Sequence, residues 1–362
     1  MRNHRLTRDY AEDLRLFRTR QSQAGLVALL ALWLFLPLVV DDDFWLSVLN
    51  YAGIAAVGAI GLNLLTGFTG QVSLGHAFFI ACGSYTAVFL GAQKGQPLLV
   101  WLAVAAVVGG VIGGIVGPFA LRLRGNYLAV ISLGLVFLGQ HAFENWESVT
   151  GGPGGTPVAA PLEIGPLDFG ALDLFGADYT RNQSFFWLTW AIVILMLMVA
   201  KNIVRTRPGR AMQAVRDRDV AAEVIGVSLA RYKVGAFVLS SAMAAVGGAL
   251  FGAYQQFVQP DSFGLFLSIQ FIAMIIVGGI GTLFGSVLGA VFVGAVPQLV
   301  SKYSGSIPFV DEGGGGEGLS VFQLNQVIFG VLIVVFLVLE PRGLAAVWLR
   351  VKAYFRAWPF SY

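Results

Sequence analysis

Long apolar runs succeed one another along the chain, separated by short polar stretches, and most runs are about as long as a membrane-crossing helix. A bilayer core of ~30 Å takes about 20 apolar residues of helix. Runs of this kind are predicted at about 24–40, 44–66, 74–93, 98–120, 126–143, 184–201, 232–258, 265–283, 285–301 and 320–340. The pattern predicts an all-α polytopic membrane protein of about ten transmembrane helices.

The polar stretches alternate in charge, and the alternation sets an orientation, because short Lys/Arg-rich loops stay in the cytoplasm. The first twenty residues hold six Arg and three acids and are expected inside. Asp41, Asp42 and Asp43 fall outside, and Arg122 and Arg124 return inside. The stretch Lys201–Lys233, with eight Lys/Arg and three acids, is inside, as is a tail carrying Arg342, Arg350, Lys352 and Arg356. Residues 144–183, with six acids and one Arg, fall outside together with the glycine-rich 302–318 loop. Both termini are thereby expected in the cytoplasm. The division is a basic N-terminal segment 1–23, a transmembrane domain 24–340 and a cytoplasmic tail 341–362.

Composition agrees. At 57% hydrophobic and 12% charged, with a mean hydropathy of +0.76, the chain is not a water-soluble globular protein. The net charge of +3 reflects basic loops beside spans rather than nucleic-acid binding. Cys82 is the one cysteine, so no intramolecular disulfide forms. The N-terminus lacks the small-residue pattern of a cleavable signal.

The Lys201–Lys233 stretch reads as a helix over its middle, within a cytoplasmic region of about 205–230. Pro208 suits a first turn, Ala211 to Arg216 are strong helix formers, and Gly226 is a natural stop. On a helical wheel Arg216, Asp219 and Glu223 share a stripe, with Ala211, Ala214, Val215, Ala221, Ala222 and Ile225 roughly opposite. Such a helix is a docking element; the simpler alternative is a solvated connector.

Glycine numbers 46. The stripe Gly109, Gly110, Gly113, Gly114 and Gly117 is expected to serve close helix packing. The cluster Gly67, Gly70 and Gly75 is interleaved with Thr66, Thr69, Gln71, Ser73 and His76, and reads as a break lining a cavity or buried in protein. Phe68, Ser73 and Gly75 recur in spacing as Phe257, Ser262 and Gly264, in a loop placed on the opposite side of the membrane. That correspondence raises a 5+5 inverted repeat, as in many transporters. Chance similarity of two turn segments is its rival.

No catalytic constellation emerges. His4, His76 and His141 lack partners at metal-ligand spacing, and the chain has no serine elbow. It also has no G-x-x-x-x-G-K-[ST] phosphate loop, so any ATP must be bound by another polypeptide. Polar residues at membrane depth remain. Gln71, Ser73, His76 and Asn63 are candidates for a substrate path, with hydrogen bonding to broken-helix backbone or between helices as the alternative.

Six segments in order then carry a resemblance. They are Gly61–Ala77, Leu121–Ala129, Thr150–Gly155, Gly209–Gly226, Val277–Thr282 and Glu340–Gly343. Together they resemble the LivM-type permeases of high-affinity branched-chain amino-acid ABC transporters. The resemblance implies a permease in the bacterial inner membrane, without catalysis of its own, that pairs with a second, homologous permease subunit. Two ABC ATPase subunits would hold ATP and Mg, so this chain would bind no cofactor, and an extracytoplasmic binding protein would deliver substrate. It also assigns Arg216, Asp219, Glu223 and Gly226 to the coupling helix that docks on the ATPase. The Gly313–Gly318 insertion departs from the family pattern. Urea or short-amide permeases share these motifs. An ion-coupled secondary carrier is the alternative from another class, disfavoured because the spans hold almost no charged residues.

Overall fold

The computed structural model describes residues 20–40, 42–121, 127–170, 172–174, 177–304, 310–311, 319–340 and 342–357. Asp41, Arg122, Arg124, the first nineteen residues, the side chain of Arg356 and most of the glycine-rich 302–318 loop lie outside the described residues.

The chain is helical almost throughout. In order come α1 (Arg20–Val39), α2 (Asp43–Thr69), α3 (His76–Thr86, continuing as a π-helix over Ala87–Gln93), α4 (Leu98–Leu121) and α5 (Tyr127–Asn145). The short α6 (Glu147–Thr150) leads to β1 (Thr156–Pro157) and two hairpins, β2 (Glu163–Ile164) with β3 (Leu167–Asp168) and β4 (Asp173–Leu174) with β5 (Ala177–Asp178). Then follow α7 (Arg181–Arg205), α8 (Arg207–Asp217), α9 (Asp219–Val224), α10 (Leu229–Gln255), β6 (Phe257–Val258), α11 (Leu265–Gly278) and α12 (Leu283–Tyr303). A parallel pair, β7 (Val310–Asp311) with β8 (Leu319–Ser320), precedes α13 (Val321–Leu339) and α14 (Gly343–Ala357).

Among the described residues, eight helices are long and apolar enough to cross a membrane, two fewer than the ten spans expected. The expected spans 24–40 and 74–93 account for the difference. Helix α1 spans Arg20–Val39, and among the described residues its apolar stretch is Leu30–Val39. Helix α3 stops after 11 residues and widens into the π-turn.

Two 27-residue helices, α2 and α10, form the centre, and each is largely buried. At 1.5 Å per residue each is about 40 Å long. The glycine stripe of α4 packs on α10 as its spacing predicts. A Cβ at Gly109 or Gly113 would press on Ser241, and Gly110 and Gly114 sit opposite Val238. Beside this contact, Gly83 and Gly248 bring the backbone of α10 against that of α3, and Ser84 donates to the Gly248 carbonyl. Small residues are needed because apolar side chains gain nothing by leaving lipid for protein.

The contacts separate the loops into two faces. One face holds the end of α2, the α8–α9 segment, the 279–282 turn and the start of α14, linked through Arg216 and Gly67 and through Gly343 against Gly279. The opposite face holds the hairpins, β6 and both ends of the Lys302–Asp42 ion pair (3.9 Å). Arg181 there donates to the Ala253 carbonyl (2.8 Å), so a cation covers the C-terminal carbonyls of α10.

The two breaks are built alike. After α2 ends at Gly70 (φ +72), residues 71–75 form no regular element, and Gly75 caps α3. His76 lies beside Gly58, eleven residues before the end of α2, so α3 begins ~16 Å inside the bundle. The loop after α10 enters from the opposite face, and Gly264 caps α11. The first turns of α3 and α11 meet, with the Ala77 N–H donating to Ser268 Oγ (3.0 Å). Thr150–Gly155 braces this second break through β1, which pairs with β6.

Candidate functional site

The 206–228 segment departs from a single helix. Arg218 is extended (φ −157, ψ 99) and divides it into α8 and α9. The two halves pack unequally: α8 buries Met212 and Val215 and contacts α2, α7 and α10, whereas α9 buries Ala222 and rests on α10 alone of these three. The expected stripe of Arg216, Asp219 and Glu223 is therefore broken. Arg216 turns toward the bundle, Asp219 begins α9 within 3.8 Å of Lys233 Nζ, and Glu223 stays exposed. Gly226 does end the segment. It is left-handed (φ +87), its N–H donates to the Glu223 carbonyl, and the Val227 N–H donates to the Ala222 carbonyl. These two bonds are a Schellman stop.

The expected apolar face is also redistributed. Ala222 is buried, but Val220, Val224 and Ile225 are 70, 82 and 76% exposed. Three adjacent aliphatic side chains on a segment outside the bundle form a surface suited to a protein partner. The i, i+4 pair Val220 and Val224 was visible in the sequence, but the single-helix reading averaged it away.

Arg216 is tied into the protein itself. Its Nη1 donates to the Gly67 carbonyl (2.9 Å), its Nη2 lies 3.0 Å from Asp217 Oδ1, and its guanidinium rests beside Gly281. Gly67 is in the last turn of α2, where carbonyls lack helical partners and a cation is favourable. Gly67 and Gly281 touch backbone to backbone: a Cβ on Gly67 would come within 2.9 Å of the Gly281 Cα. Asn63 locks the pair. Its Nδ2 donates to the Thr282 carbonyl (2.9 Å) and Ser286 Oγ (2.7 Å), and its Oδ1 accepts from the Gly281 N–H (2.8 Å).

The four path candidates are thus scattered. Asn63 is fully buried, with both amide atoms engaged in bridging α2 to the 279–282 turn. Gln71 lies on the α8–α9 face, where Nε2 donates to Thr69 Oγ1 (2.9 Å) and the Lys233 carbonyl (3.2 Å). It shares a polar cavity of about 310 Å³ with Arg216, Asp219 and Lys233. Ser73 is buried and accepts from the Gly75 N–H (3.2 Å), bracing the segment between α2 and α3. His76 reaches mid-depth, its Nε2 3.0 Å from the Gly58 carbonyl and its ring 4.9 Å from that of Phe271. Among the described residues no group of His, Cys, Asp and Glu could hold a metal ion.

Similarity to known proteins accords with this geometry. The family described as branched-chain amino acid transport system / permease component matches residues 44–337. The high-affinity branched-chain amino acid transport system permease protein LivM of Escherichia coli is 29% identical over 340 residues, covering 90% of this chain and 75% of the relative. The LivH permease of Salmonella typhimurium is 28% identical over 299 residues, 80% of this chain and 90% of the relative. The autoinducer 2 import system permease protein LsrC of Salmonella typhi is 26% identical over 302 residues, 79% of this chain and 80% of the relative. No solved structure matches the chain. A helical bundle with two breaks entering from opposite faces, matched over most of its length, belongs to the family of branched-chain amino acid transport permease components.

Proposed function

We propose that the chain is the membrane-spanning subunit of an ATP-driven importer that moves branched-chain and related hydrophobic amino acids inward across the bacterial inner membrane. The observation that carries the reading is the exposed aliphatic surface of α9, joined through α8 and Arg216 to the end of α2. A separate ATPase binding Val220, Val224 and Ile225 would push on α8, and the Arg216–Gly67–Gly281 contact would pass that motion to α2 and the 279–282 turn. Asp219, Glu223 and Gly226 then shape and terminate the docking surface.

In this reading the α8–α9 face is cytoplasmic, with both termini on that side, and the hairpin face meets an extracytoplasmic binding protein. Two ATPases supply ATP and Mg, this chain binds no cofactor, and a second permease completes the pathway. Support for the pairing comes from the likeness to both LivM and LivH, each a permease of a branched-chain amino acid transport system. The shared glycine caps of α3 and α11, at Gly75 and Gly264, support the inverted repeat. The test is uptake by proteoliposomes holding the whole complex, with labelled L-leucine, urea and sodium or proton gradients compared. ATP-dependent leucine uptake supports the reading. Urea uptake alone, or gradient-driven uptake without ATP, overturns it.

A further inference from the structure

Between α2, α3, α10, α11 and α12 lies a cavity of about 340 Å³ that none of the sequence candidates lines. It begins at mid-depth, where Gly58 and Phe271 form its floor, and rises toward the hairpin face, where Gln255 and Ser262 are exposed. Gly58 is a glycine of necessity here, since a Cβ would come within 2.6 Å of the Phe271 ring. Phe271 in turn rests on His76, so the floor is held from beneath by the first turn of α3.

The lining divides by chemistry. Ile54, Ile80, Phe271 and Met274 make the deep part apolar. Amides come from Gln270, next to Phe271 on α11, and nearer the mouth from Gln255 and Gln298, with the hydroxyls of Tyr51 and Ser262. Tyr51 Oη and Gln255 Oε1 are hydrogen-bonded to each other across the mouth. Among the described residues no Asp, Glu, Lys or Arg lines the cavity. Amides both donate and accept, so they can meet a carboxylate and an ammonium together while carrying no net charge. An additional charge on a ligand side chain would enter the apolar floor without a counterion, and burying an unpaired charge is strongly unfavourable.

We propose that this cavity is a transit site for a neutral, zwitterionic amino acid, its aliphatic side chain on Phe271 and Met274 and its charged groups among Gln255, Gln270 and Gln298. The proposal rests on the importer reading and adds a selectivity: acidic and basic amino acids are excluded by the permease itself.

The test uses the whole complex with Cys82→Ser and a single new cysteine, Met274→Cys, or Gln270→Cys should the first fail to assemble. A small water-soluble thiol reagent is added with or without L-leucine, L-glutamate or L-lysine, and leucine uptake by the wild-type complex is measured alongside. Labelling should be slowed roughly fivefold by leucine at about four times its dissociation constant, and unchanged by glutamate or lysine. If the wild-type complex imports leucine but the cysteine is unreactive, or equally protected by all three, the cavity proposal alone is overturned. If the wild-type complex imports no leucine, the importer reading falls and the proposal with it.

Discussion

Arg216 and Gly67 are joined across 149 residues of sequence by one hydrogen bond, guanidinium Nη1 to carbonyl at 2.9 Å. The bond places a cation from the α8–α9 segment on the open carbonyl end of α2, one of the two longest buried helices. A hydrogen bond from a charged donor contributes about 1.5–3 kcal/mol when buried, and a half-exposed guanidinium contributes less. Its importance is therefore mechanical: it fixes how α8 moves relative to α2.

Arg216→Ala should assemble and insert normally yet transport poorly for each ATP hydrolysed. Parallel measurement of hydrolysis and leucine uptake checks this, with uptake falling more than hydrolysis. Arg216→Lys should rescue only partly, because an ammonium is a point donor without the planar fork that reaches Gly67 and Asp217 together.

Asn63→Ala should destabilise the protein rather than alter its substrate range. It leaves the half-buried Gly281 N–H without its acceptor, at a cost toward the lower end of about 1–3 kcal/mol. A lowered melting temperature of the purified chain, with an unchanged leucine-to-isoleucine uptake ratio in surviving complexes, is the expected outcome.

Gly226 distinguishes conformational strain from crowding. A Cβ there meets nothing within 4 Å, so only the left-handed backbone matters. Gly226→Val should cost roughly 1–2 kcal/mol and weaken retention of the ATPase, whereas Gly226→Asn should retain it almost fully. Co-purification of ATPase activity with each variant separates the two.

Orientation is read from a pair of single cysteines in a Cys82→Ser background. Asp168→Cys, in β3, should react with an impermeant reagent added outside intact cells. Glu223→Cys, in α9, should react only after the membrane is opened. The reverse pattern would invert the assignment of faces.

Much of the fold was legible in the sequence because membrane spans announce themselves by length and apolarity. The glycine stripe of α4 and the break at Gly70 were legible too, the first by its spacing and the second by polar residues inside an apolar run. The split at Arg218 was not, because both halves have good helix formers and only tertiary packing, close for α8 and slight for α9, tells them apart. Asn63 and Gln71 looked like path residues because a polar side chain at membrane depth carries the same sequence signal whether it meets substrate or braces backbone. Gln270 and Gln298, lone amides in apolar spans, carry that signal as well.

The decisive measurement is ATPase retention by Val224→Asp. The chain is affinity-purified from its own membranes, and the bound ATP-hydrolysing activity is compared with wild type at equal amounts of folded chain. A desolvated carboxylate replacing the most exposed of the three aliphatic side chains should cost about 3 kcal/mol of docking, reducing retained activity by more than tenfold. Retention and leucine uptake equal to wild type would show that α9 is not where the energy of ATP enters this permease.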